Sequence, residues 1–300
     1  MSRMERILRS AAPRLDPGWR RHVPAAWAVG WVPVSFALEG GETEVVQLGA
    51  GRPLILLPPL PGWKEAWLAC AARLARRFRV ITFDLRAGGR GERGWERLLG
   101  DLERVADAFA PGAAGVVGHS LGGALAQRWA LHRPGRVAAL VLSSSFARVT
   151  TPRGHRWSRY GEQPLVLASQ RWLPERAALR LARWLAARGA WVYDPACGDD
   201  ILRFVRFAIR RAPLGLAAER VGLALDHDLR AELPGISCPT LVVRGERESR
   251  FAHEAAEELA RLIPGAELHV SPGVSHLHPL SGAAWLCATL EEWLEPRLRP

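Results

Sequence analysis

Three hundred residues, 48% of them hydrophobic, suffice for one α/β domain with an insertion, and the formal charge of +11 comes almost wholly from arginine, since Lys64 is the only lysine. No basic run interleaved with stacking aromatics accompanies that charge, which argues against nucleic acid and leaves open a weak attraction to anionic membrane surfaces or acidic substrates. Cys70, Cys197, Cys238 and Cys287 are too scattered for a disulfide framework or a zinc site; no 18-residue apolar run occurs, Arg3, Arg6, Arg9 and Arg14 interrupt any signal-peptide core, and a cytoplasmic location is the expectation.

In chain order, an Arg-rich arm (1–28) precedes Val32 to Leu38 and Glu44 to Leu48, two strands joined at Glu39-Gly40-Gly41, a hairpin signal. Pro53 to Leu57 is a fully apolar strand, followed by a helix from Lys64 to Arg77, a strand from Arg79 to Phe83 and a helix from Trp95 to Phe109. Ala113 to Val117 reads as a short buried strand, Leu121 to His132 as a helix stopped by Arg133-Pro134-Gly135, and Val137 to Ser143 as the next strand. Strands alternating with helices predict a mostly parallel central sheet flanked by helices. From 146 to 233 the pattern is helical, rich in tryptophan and arginine, with no convincing strand. In one of these helices Ile201, Phe204, Val205, Ala208 and Ile209 form an apolar face and Arg203, Arg206 and Arg210 a solvated one, a spacing that Arg176, Arg180 and Arg183 repeat. The alternation then resumes with Thr240 to Val243, a helix from Phe251 to Leu262, Glu267 to Val270 and a helix from Ala283 to Leu294, with Pro296 to Pro300 read as a frayed tail. The division expected is a core of 29–145 and 234–300 interrupted by a helical cap, 146–233.

Between the short strand and its helix lies Gly118-His119-Ser120-Leu121-Gly122-Gly123, a G-x-S-x-G that bends the backbone sharply enough to present the Ser120 hydroxyl. A serine hydroxyl is barely ionised at neutral pH, so it needs a base within hydrogen-bond reach and a carboxylate to orient that base.

With the loop after Leu57, the Asp84 to Gly91 turn, and the pairs Gly245 to Glu248 and Gly273 to His276 in the same order, the chain from about Val32 to Trp293 resembles the α/β-hydrolase family. The resemblance implies that fold with an inserted helical cap. It gives His276 as the base, with His278 the nearest competitor, expected to point elsewhere as an i+2 neighbour. The acid falls in the Gly245-Glu246-Arg247-Glu248 turn, where Glu248 takes the aspartate's usual position and Glu246 remains the alternative. One oxyanion donor is the Leu121 amide; the other, aligned by Pro61-Gly62-Trp63, is the Leu60 amide, after a Pro58-Pro59 that replaces the family's His-Gly. Trp63, His119, Trp157, Phe204 and Phe207 are candidate substrate-lining residues, His119 shaping packing or the hole, and Arg86 reads as a solvated loop arginine. The activity implied is a serine hydrolase acting without metal or cofactor on a small carboxylic ester, lactone or thioester with an apolar acyl part. Carbon–carbon bond hydrolases, acyltransferases, cofactor-free peroxidases and a non-catalytic ligand-binding or signalling protein share enough of these features to stand as alternatives.

Overall fold

The computed structural model describes residues 17–86, 94–150, 160, 163–187 and 197–298. Eight strands form one sheet: β1 (Val34–Leu38), β2 (Gly41–Leu48), β3 (Arg52–Leu57), β4 (Phe78–Phe83), β5 (Ala114–His119), β6 (Val137–Ser143), β7 (Thr240–Gly245) and β8 (Glu267–Ser271). Their order is β1-β2-β4-β3-β5-β6-β7-β8; β2 is antiparallel to β1 and β4, and every other pairing is parallel. The hairpin thus forms one edge, while the fully apolar strands take the middle, where both faces are covered.

The period of two along β3 divides the core. Leu54 and Leu56 join one buried cluster with α1 (Leu68–Leu74) and the C-terminal helix, through Leu68, Leu74, Leu290 and Leu294. Ile55 and Leu57 join the opposite cluster with α2 (Trp95–Phe109) and α3 (Leu121–His132), through Leu102, Val105, Leu125 and Trp129. Each fully buried leucine contributes about 1.5–3 kcal/mol of transfer free energy, so this two-sided cover is the main stabilising term.

Between β6 and β7 the chain runs through α4 (Gln163–Trp172), α5 (Glu175–Ala186), α6 (Asp199–Arg211) and α7 (Leu214–Leu225). On the apolar face of α6, Phe204 and Ala208 are buried in the same cluster as Trp19 and Trp31 of the N-terminal segment, while Ile201, Val205 and Ile209 are half-buried. That segment forms two 3-10 turns, Pro17–His22 and Ala25–Ala28, and is built into the core rather than lying apart from it.

After β7 come α8 (Arg250–Leu262), capped by the Ser249 hydroxyl on the Ala252 amide, then β8, the single turn α9 (His278–Ser281), and α10 (Ala283–Arg297). Two expectations are corrected. The helix expected from Lys64 starts as a 3-10 turn, Lys64–Trp67, before α1. The tail is not frayed from Pro296: α10 continues to Arg297 and Leu298 is buried, occupying space beside Gly115 where a Cβ would come within 2.8 Å of its side chain.

Candidate active site

Ser120 stands between β5 and α3 at φ 54°, ψ −116°, a left-handed conformation costly for any residue with a Cβ. The turn is held from both sides: the Ser120 amide donates to the Ser143 carbonyl at 2.9 Å, and the Ser145 hydroxyl donates to the Ser120 carbonyl at 3.0 Å. A Cβ on Gly122 would lie 2.3 Å from the Leu57 carbonyl oxygen and 2.7 Å from that of Pro58. The glycine therefore lets the first turn of α3 press directly on the end of β3, bringing the Leu121 amide beside the loop that carries Leu60.

That loop is anchored at its far end by a group the sequence reading missed. Lys64 is fully buried, with its ammonium 2.8 Å from Asp84, 2.9 Å from Glu44 and 3.0 Å from Glu65. The Lys64 amide donates to Asp84 Oδ1 at 3.0 Å, and the Leu85 amide donates to the Gly62 carbonyl at 2.7 Å. Burial pushes the Asp84 carboxyl up to about 7, against the pull of Lys64 and with the repulsion of Glu65. A sole lysine seven residues after β3 was the only available signal. Arg86 is likewise no solvated residue: it is buried in a two-pronged pair with Asp101, both contacts 2.7 Å, and its carbonyl accepts from Arg220 of α7. Residues 87–91 of the same turn lie outside the described residues.

Further along the same C-terminal edge of the sheet, Glu248 and His276 converge. Gly245 lacks a side chain where the His276 loop crosses it, since a Cβ would meet the Val274 carbonyl oxygen at 2.6 Å. Glu248, buried, places Oε1 4.0 Å from His276 Nδ1 and accepts the Gly245 amide at 3.2 Å and the Ser144 hydroxyl. Glu246 is exposed and accepts the Gly273 amide at 2.6 Å, bracing the histidine loop from outside.

His278 does not point away as expected. It is fully buried with Nε2 2.8 Å from Ser143 Oγ and 3.1 Å from Ser144 Oγ, because the turn of α9 folds its side chain back under the strand ends. His119 completes the group, with Nδ1 3.0 Å from both Ser143 oxygens and its ring centroid 4.9 Å from that of His276 and 5.4 Å from that of His278. Burial holds all three rings neutral: His119 falls to about 4, and His276 and His278 lie well below the ordinary imidazole range, each also repelled by a neighbouring ring.

Of the candidate lining residues, Trp63 and Phe204 are buried in one apolar cluster. Phe207 lies against the N-terminal segment, its ring 5.0 Å from that of His22 with Arg211 over its face. Trp157 lies outside the described residues. Arg206 of α6 is buried rather than solvated and donates to the Gln170 and Leu173 carbonyls, closing the end of α4. Among the described residues no cluster suited to a metal occurs, and no helix is long and apolar enough to cross a membrane.

A family model described as the alpha/beta hydrolase fold matches residues 52–283, spanning β3, the serine turn, the helical insertion and the His276 loop. The chain belongs to the α/β-hydrolase family. Within it, a pimeloyl-[acyl-carrier protein] methyl ester esterase of Chromobacterium violaceum is 33% identical over 84% of this chain and 97% of the relative. Among solved structures, a thermophilic esterase from Thermogutta terrifontis superposes with TM-score 0.70 at 26% identity, covering 90% of this chain and 99% of that one. The enol-lactonase of Burkholderia xenovorans LB400 has TM-score 0.67 at 21% identity over 87% of this chain and all of its own (100%), a likeness of fold alone. In α/β-hydrolase terms, the sheet order puts the serine turn, the Glu248 turn and the His276 loop at the C-terminal ends of neighbouring parallel strands, the edge where such sheets carry ligands.

Proposed function

We propose that this α/β-hydrolase cleaves a carboxylic ester with a substantially apolar acyl part through a Ser120–His276–Glu248 triad and an acyl-enzyme. The observation that carries the reading is the buried approach of Glu248 to His276 beside the strained Ser120 turn. His276, neutral through burial, accepts the Ser120 proton as Oγ attacks the carbonyl carbon, and Glu248 steadies the imidazolium that forms. The Leu121 and Leu60 amides receive the developing oxyanion, and donors fixed before the reaction are what make such a hole effective. As the tetrahedral intermediate collapses, His276 returns the proton to the departing alkoxide; a water then attacks the acyl-serine by the same route and releases the acid.

The helices of 146–233 act as the cap, and the apolar face that α6 turns inward supports an acyl chain as the recognised part. Relatives named for a methyl ester of an acyl-carrier-protein-bound pimeloyl group make methyl esters of extended acyl groups the first substrates to try. A fluorophosphonate probe tests the nucleophile: wild type labels and Ser120→Ala does not, whereas a folded, unlabelled wild type excludes the hydrolase and favours a ligand-binding role for the same fold. A chain-length series of p-nitrophenyl esters tests the acyl preference, which fails if acetate is hydrolysed and longer chains are not.

A further inference from the structure

Ser144 and His278 have no part in that triad, yet both are buried beside it: Ser144 is hydrogen-bonded to its acid and His278 to Ser144. Ser144 directly follows β6, one strand away from the turn that carries Glu248, and besides Ser120 it is the one non-glycine residue with positive φ among the described residues, at 45°. Its amide is fastened to the Val243 carbonyl at 2.7 Å, which holds that conformation and aims its hydroxyl across to β7. A hydroxyl carries a single hydrogen, so Ser144 donates steadily to Glu248 only if the other group at its oxygen is a donor. His278 Nε2, 3.1 Å away, is that group, its one hydrogen shared between Ser144 Oγ and Ser143 Oγ, the latter at 2.8 Å. The ring is neutral, and its Nδ1 has no hydrogen-bond partner among the described residues, so a proton there would be a buried donor without an acceptor; the hydrogen belongs on Nε2.

We propose that His278 and Ser144 are positioning residues for the acid: the His278 Nε2–H fixes the Ser144 hydroxyl, which donates to Glu248 Oε1 and holds the glutamate carboxylate beside His276. The inference rests on Glu248 being the acid of the proposed triad. It accounts for how glutamate serves where the family pattern has aspartate. The extra methylene gives the side chain one more rotatable bond, and a donor from the neighbouring strand removes that freedom, with the Gly245 amide as the second donor to the same oxygen. The other branch of that shared Nε2–H, to Ser143 Oγ at 2.8 Å, ties the same ring through Ser143 to His119, whose ring lies against that of His276.

The test is steady-state hydrolysis of a p-nitrophenyl ester by the full-length variants. Ser144→Ala and His278→Leu each lower kcat about tenfold or more, the range in which supporting residues act on the groups they orient, with KM little changed. His278→Gln, whose amide presents an N–H near the position of Nε2, recovers part of that loss. Adding Ser144→Ala to Glu248→Gln costs nothing further, because the hydroxyl then has no carboxylate to hold. Full activity in Ser144→Ala while Glu248→Gln is inactive overturns the positioning role and leaves the triad standing. Full activity in Glu248→Gln removes the acid assignment and this inference with it. If His278→Leu does not fold, the smaller Ser144→Ala change and its double variant still decide.

Discussion

At the scale of single residues, two glutamates two positions apart have separate jobs. Glu248 Oε1 is buried 4.0 Å from His276 Nδ1, while Glu246 is exposed and closes a loop through the Gly273 amide. Glu248→Gln is therefore expected to lower kcat by roughly 10³-fold or more, the scale seen when a triad acid loses its charge, and Glu246→Gln by less than about threefold. The opposite ranking in kcat measurements moves the acid to position 246. Lys64 carries a second expectation. One buried ammonium serves three carboxylates at 2.8–3.0 Å, two of them buried and Glu44 partly exposed, a geometry for a compact point charge rather than a planar guanidinium. Lys64→Met leaves those carboxylates uncompensated and is expected to cost about 3–5 kcal/mol in denaturant unfolding, with Lys64→Arg failing to restore it. An unfolding midpoint within error of wild type in either variant would remove this role. The serine, histidine and glutamate turns are legible in the sequence because each is local, a few residues with glycine in a fixed place. Lys64, Arg86 and His278 are not, since their partners lie 20, 15 and 135 residues away and pattern reading treats a charged residue as solvated.

Among the elements, α2 and α3 have the boundaries that capping and breaker signals predict, because glycine and proline bound them locally, and β6 begins, as expected, just after Pro134-Gly135. The elements that differ are governed by packing. Pro296 reads as a stop, yet α10 runs one residue beyond it because Leu298 fills the space beside Gly115; the turn of α9 has no periodicity to detect and exists because His278 is drawn under the strand ends. The N-terminal segment is drawn in similarly, its tryptophans completing the cluster that α6 enters. The contact of α3 with β3 is the junction on which the proposed oxyanion hole depends. Gly122→Ala places a methyl 2.3 Å from the Leu57 carbonyl oxygen, a backbone atom that no side-chain rotation can move. The helix must then withdraw, at about 1–3 kcal/mol of stability, and the Leu121 amide withdraws with it. Esterase activity in Gly122→Ala is expected to fall by roughly 10²-fold or more at temperatures where the fold is intact by circular dichroism, since misplacing one oxyanion donor costs about that much. Unchanged kcat would show that Leu121 does not serve the hole.

Over the whole molecule, the buried imidazoles set the response to acid. His119 and His227 titrate at about 4 and about 3 through burial, Arg128 adding to the effect on His227, and His276 and His278 are also held well below 6.5. The unfolded chain takes up these protons near pH 6.5 and the folded chain does not, so the unfolded state binds more protons between about pH 6.5 and 4. Stability conferred by these rings is complete above pH 6.5 and is lost as the pH falls, each ring contributing up to about 1.4 kcal/mol per pH unit across that window. Asp84 works in the opposite direction: with its carboxyl raised to about 7, the folded state binds the extra proton, and its share of stability falls as the pH rises from 3.8 to 7. Asp101, also raised by burial, acts in the same sense, and two carboxyls against four rings leave the histidines dominant. The formal charge of +11 grows as surface carboxylates protonate, and self-repulsion then adds to the loss. Chemical denaturation followed by tryptophan fluorescence is therefore expected to show a steep fall in unfolding free energy from pH 6.5 to 4.5. His227→Gln, which removes one titrating ring without touching the proposed triad, should make that slope shallower by about 1 kcal/mol per pH unit at most. A stability flat across this range, or rising toward acid, would mean that the buried imidazoles are not the neutral groups their surroundings require.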